Sequence, residues 1–173
     1  MLKTVQINST NVNNDELKKI YESAFTGGQR YPYSDIIRII KESGENCDYT
    51  AYYDGDLLVG LTMVYILKRF NYGAYFAVRE DLRGKGYGQT IFTSVLEKYS
   101  KSNPFVIDAE SPLEENAPNL EIRKRRFAFL VRNGLRDTGV SYNHNGVLLT
   151  FMSNSNEPFS QEDFDEINEA LPK

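Results

Sequence analysis

The chain has 173 residues, 40% of them hydrophobic, with 24 acidic against 20 basic side chains and a net charge of −4. That length can bury one respectable core and is short for two, so the expectation is a single domain over residues 1–173, with 159–171 as a short C-terminal helical extension. The acidic balance argues against nucleic acid as a partner, the lone Cys47 excludes an internal disulfide framework, and no apolar run approaches the roughly 18 residues that span a bilayer. Residues 1–6 lack a signal-peptide core, so the expected place is the cytoplasm, with no membrane partner.

Residues 3–7 read as a strand and 14–25 as a helix with Leu17, Ile20, Tyr21 and Ala24 facing inward. After a loop over 26–32, Tyr33, Ile36, Ile37 and Ile40 repeat the helical spacing, and Gly44 ends that second helix. Asp54-Gly55 marks a hairpin between strand-like segments 48–53 and 57–67. Residues 72–78 form an apolar, aromatic run suited to a buried fourth strand. A helix lined by Phe92, Val95, Leu96 and Tyr99 follows, then a fifth strand over 105–110 and a loop holding Pro112 and Pro118. A fourth helix over 122–135 ends on a glycine cap, a last pair of strands turns at Asn145-Gly146, and Ser160-Gln161-Glu162-Asp163 opens a terminal helix.

Between the fourth strand and the third helix stands Arg83-Gly84-Lys85-Gly86-Tyr87-Gly88-Gln89-Thr90. Glycines at a helix N-terminus leave backbone N–H groups free, and the helix dipole favours an anion there, with Arg83 and Lys85 adding formal charge. The mononucleotide pattern G-x-x-x-x-G-K-[ST] fails because Gly86 follows Lys85, and the dinucleotide pattern G-x-G-x-x-G fails because Gln89 takes the third glycine's place. What is left is R-G-x-G-x-G. With Arg83, Gly86 and Gly88 it resembles [RQ]-x-x-G-x-[GA], the coenzyme A pyrophosphate loop of the GNAT superfamily of N-acetyltransferases. The hairpin, the fifth strand and the glycine-capped fourth helix follow that superfamily's order over nearly the whole chain.

The resemblance implies a mixed α/β (α+β) fold: a mostly antiparallel sheet of about six or seven strands, helices on both faces, and a splay between strands four and five. It implies transfer of an acetyl group from acetyl-coenzyme A, as co-substrate and without a metal, to a small-molecule or peptidyl amine. The pantetheine arm would lie in the splay against the backbone of Phe76, Ala77 and Val78, with an N–H at a bulge polarising the thioester. Residues Arg83, Gly84, Lys85, Gly86, Tyr87, Gly88, Gln89 and Thr90 would cradle the pyrophosphate, and Arg123 and Phe129 of the fourth helix would complete the coenzyme site.

The acceptor must lose a proton. An α-amino group is roughly a tenth neutral at pH 7, against about one lysine amine in 2500. Glu110, at the end of strand five, is the candidate base acting through a water, with Asp108, on the same strand face, in reserve. One departure stands out: superfamily members often carry a tyrosine in helix four as proton donor to the leaving thiolate, and Leu130 occupies that place here. A coenzyme A-binding module of weak or no activity is therefore the alternative. In the basic run 123–126, a solvated helix face is the main reading, though Arg123 and Arg126 share a side that can approach the coenzyme's phosphates. His144 is expected in an exposed turn and outside any metal site; Cys47 is expected to be a small buried or edge residue, not an acyl carrier. Some of the many tyrosines, with the loop from Thr26 to Tyr33, are expected to wall the acceptor cleft, and the terminal stripe Phe164, Ile167 and Leu171 to cover either its own core or a second copy.

Overall fold

The computed structural model describes residues 1–25 and 31–171. In chain order these form β1 (Lys3–Ile7), α1 (Asp15–Ala24), α2 (Tyr33–Glu42), β2 (Cys47–Asp54), β3 (Leu57–Ile66), β4 (Asn71–Val78), α3 (Tyr87–Tyr99), β5 (Phe105–Glu110), α4 (Leu120–Arg132), β6 (Arg136–His144), β7 (Val147–Ser153) and α5 (Gln161–Ala170). The strands join in one seven-stranded sheet of order β1-β2-β3-β4-β5-β7-β6. Every neighbouring pair is antiparallel except β4 and β5, which run parallel because α3 carries the chain back across the sheet between them.

Each face of the sheet buries its own apolar layer. On one side Leu17, Ile20 and Tyr21 of α1, Tyr33, Ile36 and Ile39 of α2, and Ile167 of α5 pack on Ala51, Met63, Tyr72, Ala77 and Phe151. On the other, Ile91, Phe92 and Val95 of α3 and Leu130 of α4 pack on Val59, Val64, Phe105 and Met152. The α2 stripe is therefore centred on Ile36 and Ile39, with Ile37 and Ile40 half-buried on its flank, and in α3 Ile91 takes the fully buried place expected of Leu96. The terminal stripe is spent on the protein's own core, since Phe164 and Leu171 pack against the first of these layers beside Ile167.

Local signals set the ends of these elements. Asn14 caps α1 by accepting the N–H groups of Glu16 and Leu17 at 2.9 and 3.1 Å, and Ser160 and Asp163 form a reciprocal capping box on α5. The α4 helix closes in a Schellman motif, with Leu135 N–H on the carbonyl of Leu130 at 3.1 Å and Gly134 N–H on that of Val131 at 3.0 Å. The first hairpin turns one residue later than expected: Asp54 pairs with Leu57, leaving Gly55-Asp56 as the two-residue loop.

Candidate functional site

The sheet comes apart at its centre. Parallel pairing of β4 with β5 covers only Asn71 with Phe105, Tyr72 with Val106 and Gly73 with Ile107. A side chain at the last of these would fail on space, because a Cβ on Gly73 would stand 2.6 Å from the Phe105 ring. Beyond it the strands diverge into a fork flanked by residues 74–78 and 108–110.

A bulge decides what β4 presents to this fork. Its register against β3 passes from Tyr75 opposite Met63 to Gly73 opposite Val64, so Ala74 is an extra residue. Both Ala74 and Tyr75 therefore face the α1/α2 side, after which Phe76 and Val78 face α3 and α4. The backbone flips too. Asn71 donates its N–H to Pro104 on the β5 side, whereas Arg79 donates to Val59 on the β3 side. Eight residues of regular strand would have kept the same side, so the bulge has changed the phase, and the N–H and C=O groups of Phe76 and Val78 turn to the unpaired edge. The Val78 carbonyl there accepts the Arg83 Nε at 3.2 Å. Ala77, by the same alternation, hydrogen-bonds towards β3 and is buried.

The glycine turn lies at the open end of the fork. Gly86 is the N-cap of α3 at φ +89°, a left-handed conformation that side chains disfavour, and no side chain caps the helix. The first N–H groups of α3, from Tyr87 to Gln89, lack intrahelical partners by geometry. A Cβ at Gly84 or Gly86 would meet nothing within 4 Å, and one at Gly88 would rest 3.7 Å from Val78 Cγ2. The turn is thus bare backbone open to the outside, with Arg83 and Lys85 exposed beside it. Other side chains of the run brace it: Tyr87 donates to Asp54 at 2.7 Å, Gln89 exchanges hydrogen bonds with Asn133 at the end of α4, and the Thr90 hydroxyl donates to the Gly86 carbonyl. Phe129 of α4 stacks on Phe76 with centroids 6.2 Å apart, walling the α3/α4 side.

Glu110, only 11% exposed, is held at the end of β5. One of its oxygens accepts Arg123 Nε at 2.9 Å and the Asn119 amide at 2.6 Å, and the Arg126 guanidinium stands 4.0 Å from the other. Arg123 is buried and also binds the Glu114 carboxylate and, at 3.3 Å, the Ser111 carbonyl. Glu114 in turn accepts Leu148 N–H of β7, and the Arg123 guanidinium, followed by that N–H, holds its carboxyl below the usual carboxylate range. The solvated-face reading of the basic run therefore holds for Lys124, Arg125 and Arg126 and is corrected for Arg123, whose guanidinium is committed to carboxylates at the tip of β5. Its spacing from Phe127 and Leu130, i+4 and i+7, carries the signal: the three share one helical face.

Asp108 lies one residue past the last β4–β5 pair, half-buried on the α1/α2 side. Tyr142 of β6 donates its hydroxyl to it at 2.5 Å, and the Tyr72 hydroxyl lies near. Burial raises its pKa above the ordinary carboxylate value, against the lowering pull of these two hydroxyls. Sequence reading missed Tyr142, because it reaches Asp108 through two long-range pairings, β5 with β7 and β7 with β6. His144 is also corrected: it is the last residue of β6, half-buried, with its ring 6.4 Å from that of Tyr142. Leu130 is buried beneath α4 and brings no hydroxyl to the fork. Burial pushes the Cys47 thiol up to about 12, with Asp48 adding to the effect, so it has little thiolate character. Of the loop expected to wall the acceptor, residues 26–30 lie outside the described residues; Tyr31 is half-buried against the core of that side. Among the described residues no group of His, Cys, Asp and Glu could hold a metal ion, and no helix is long and apolar enough to cross a membrane.

A sheet parted at a β4 bulge, beside a bare glycine turn at a helix N-terminus, defines an acetyltransferase fold. The sequence matches the acetyltransferase (GNAT) family over residues 14–117, more than half of the chain, and the protein belongs to that family. Its fold is similar to that of a GNAT-family protein from Bacteroides thetaiotaomicron (TM-score 0.75, 21% identity, 96% of this chain and 94% of that one). It is also similar to the ribosomal-protein-S18-alanine N-acetyltransferase of Escherichia coli (TM-score 0.68, 11% identity, 93% and 97%). A third likeness is to a GNAT acetyltransferase from Elizabethkingia anophelis with acetyl-CoA bound (TM-score 0.61, 12% identity, 88% and 96%). No curated protein matches the sequence. The protein is an acetyl-coenzyme A-dependent acyltransferase by family, and enzymes of this family act on amine acceptors.

Proposed function

We propose that the protein transfers the acetyl group of acetyl-coenzyme A to a primary amine by direct attack in a ternary complex. The observation that carries this reading is the phase change at Ala74, which turns the backbone of Phe76 and Val78 to the unpaired edge of β4 next to the glycine turn. Phe76 N–H and C=O and Val78 N–H would hold the pantetheine arm as an added strand, with Phe129 closing one side. The N–H groups of residues 87–89, with Arg83 and Lys85, would hold the pyrophosphate.

The amine nitrogen must give up a proton before its lone pair can form the C–N bond. Glu110 takes that proton through a water, and its ion pair with Arg123 fixes its direction. As the C–S bond breaks, the departing thiolate takes its proton from solvent, since position 130 supplies an alkyl side chain. The single, buried cysteine fits a reducing compartment, and we place the reaction in the cytoplasm.

The test is release of free coenzyme A thiol from acetyl-coenzyme A across a panel of primary amines, for wild type and a Gly86→Val variant. Turnover with one class of amine, lost in Gly86→Val together with the thermal shift given by acetyl-coenzyme A, supports the reading. A large thermal shift with no turnover on any amine would instead support a coenzyme-sensing module, with Leu130 as the reason.

A further inference from the structure

We propose that Asp108, framed by the Tyr72 and Tyr142 hydroxyls at the fork of β4 and β5, is the seat for the ammonium group of the acceptor, and that the acceptor is an alkylammonium cation.

Each of the other deeply placed carboxylates has a guanidinium: Glu110 has Arg123 at 2.9 Å, and Asp163 has Arg69 at 3.0 Å. Among the described residues Asp108 makes no ion pair with Arg or Lys, and the nearby His144 pulls its pKa down only after its hydrogen bonds do. A carboxylate taken from water without a counter-ion is costly, and one kept at a reaction fork has a place for a cation that arrives with the substrate. The Tyr142 hydroxyl fills part of its lone-pair capacity, which leaves acceptor sites for an N–H donor.

Position supports the same occupant. Asp108 stands one residue beyond Gly73 and Ile107, where the strands part, and on the α1/α2 face, opposite the side closed by Phe129. Glu110 follows two residues later on the same strand. An ammonium anchored at Asp108 therefore lies along the strand that leads to the proposed proton acceptor. Tyr75, packed on the same face of the sheet, is near enough for the Asp108 charge to act on it. An aromatic ring beside a carboxylate suits a cation on an apolar arm more than a neutral or anionic group. The same alkylammonium end is carried by free small amines and by lysine side chains.

This inference rests on the acetyltransferase reading, and the experiment separates the two. Steady-state acetylation is measured by thiol release with n-butylamine, phenethylamine and Nα-acetyl-lysine amide for wild type, Asp108→Asn and Tyr142→Phe, alongside the thermal shift given by acetyl-coenzyme A alone. The expected result is a rise in KM of the best amine by roughly tenfold to a hundredfold in Asp108→Asn, the size of a lost charge-assisted hydrogen bond. The coenzyme's thermal shift stays unchanged and kcat moves little. Tyr142→Phe keeps the ring packing and raises KM less, by about twofold to tenfold, so the test survives if Asp108→Asn folds poorly. Preference for the free amines or for the lysine amide names the source. An unchanged KM in both variants, or a loss confined to kcat, overturns the seat while leaving the acetyltransferase reading intact. Absence of both coenzyme shift and turnover overturns both.

Discussion

Asp108 and Glu110 stand two residues apart on one strand, yet they are held in opposite ways. Glu110 and its neighbour Glu114 are gripped by a buried arginine, which ties β5, the loop after it, α4 and β7 together. Asp108 accepts the Tyr142 hydroxyl and, among the described residues, makes no ion pair with a guanidinium. One carboxylate is ion-paired and aimed; the other has, on the proposal above, room for a cation. Environment, not residue type, divides the work, and four changes would break or sharpen that division.

The largest effect is expected on removing the guanidinium. Arg123→Met removes the buried guanidinium that Glu110 and Glu114 share, and breaking such a pair costs about 3–5 kcal/mol, read as a shift in urea midpoint. Adding Glu110→Gln to that variant should return part of the loss, because the stranded charge is gone. If the two single changes simply add, the pair is not the unit described here.

Second comes catalysis. Glu110→Gln keeps the Asn119 hydrogen bond possible and removes the proposed proton acceptor, so kcat should fall by about 10²–10⁴-fold with little change in the amine's KM. Rate against KM is what separates this residue from Asp108. An equal loss in both parameters at both positions would dissolve the comparison.

Third, the two regions should answer acid with opposite sign. Burial raises the pKa of Asp108 in the folded protein, so the folded state holds that proton more tightly than the unfolded chain does. Its contribution to stability therefore declines as pH climbs from the ordinary carboxylate value through the raised one, and is level above. Arg123 lowers the pKa of Glu114, so that contribution is present above the ordinary value and fades as pH falls through the lowered one. Urea midpoints across pH 3–7 should lose the first component in Asp108→Asn and the second in Glu114→Gln.

Much of this molecule could be read from sequence wherever the signal is local. The glycine turn follows from Gly84 and Gly86, whose φ values of +76° and +89° suit no other residue, and the α3 helix follows from its apolar stripe. The fork and a bulge within it came with the family resemblance, but the bulge's place at Ala74 did not, since no residue type marks a one-residue slip against β3. The tyrosine clasp on Asp108 spans 34 residues of sequence and depends on β7 pairing with both β5 and β6. Arg123 hid inside a run of four basic residues, where charge suggested solvent while the spacing to Phe127 and Leu130 pointed inward.

The smallest effect on stability is expected at Gly88, and it serves as the control for both carboxylates. An alanine there meets Val78 Cγ2 at 3.7 Å, an ordinary contact, and removes the entropic cost of a helical glycine. Stability should therefore hold or rise by up to about 1 kcal/mol. The new methyl group stands at the first turn of α3, where the backbone N–H groups are proposed to meet the pyrophosphate, so the affinity for acetyl-coenzyme A should fall even as the fold tightens. Asp108→Asn and Glu110→Gln should do the reverse, keeping the coenzyme's thermal shift while changing KM or kcat for the amine. A Gly88→Ala protein with undiminished coenzyme affinity would mean that the pyrophosphate does not use the turn so closely, and the separation of coenzyme, cation and proton sites along the fork would have to be redrawn.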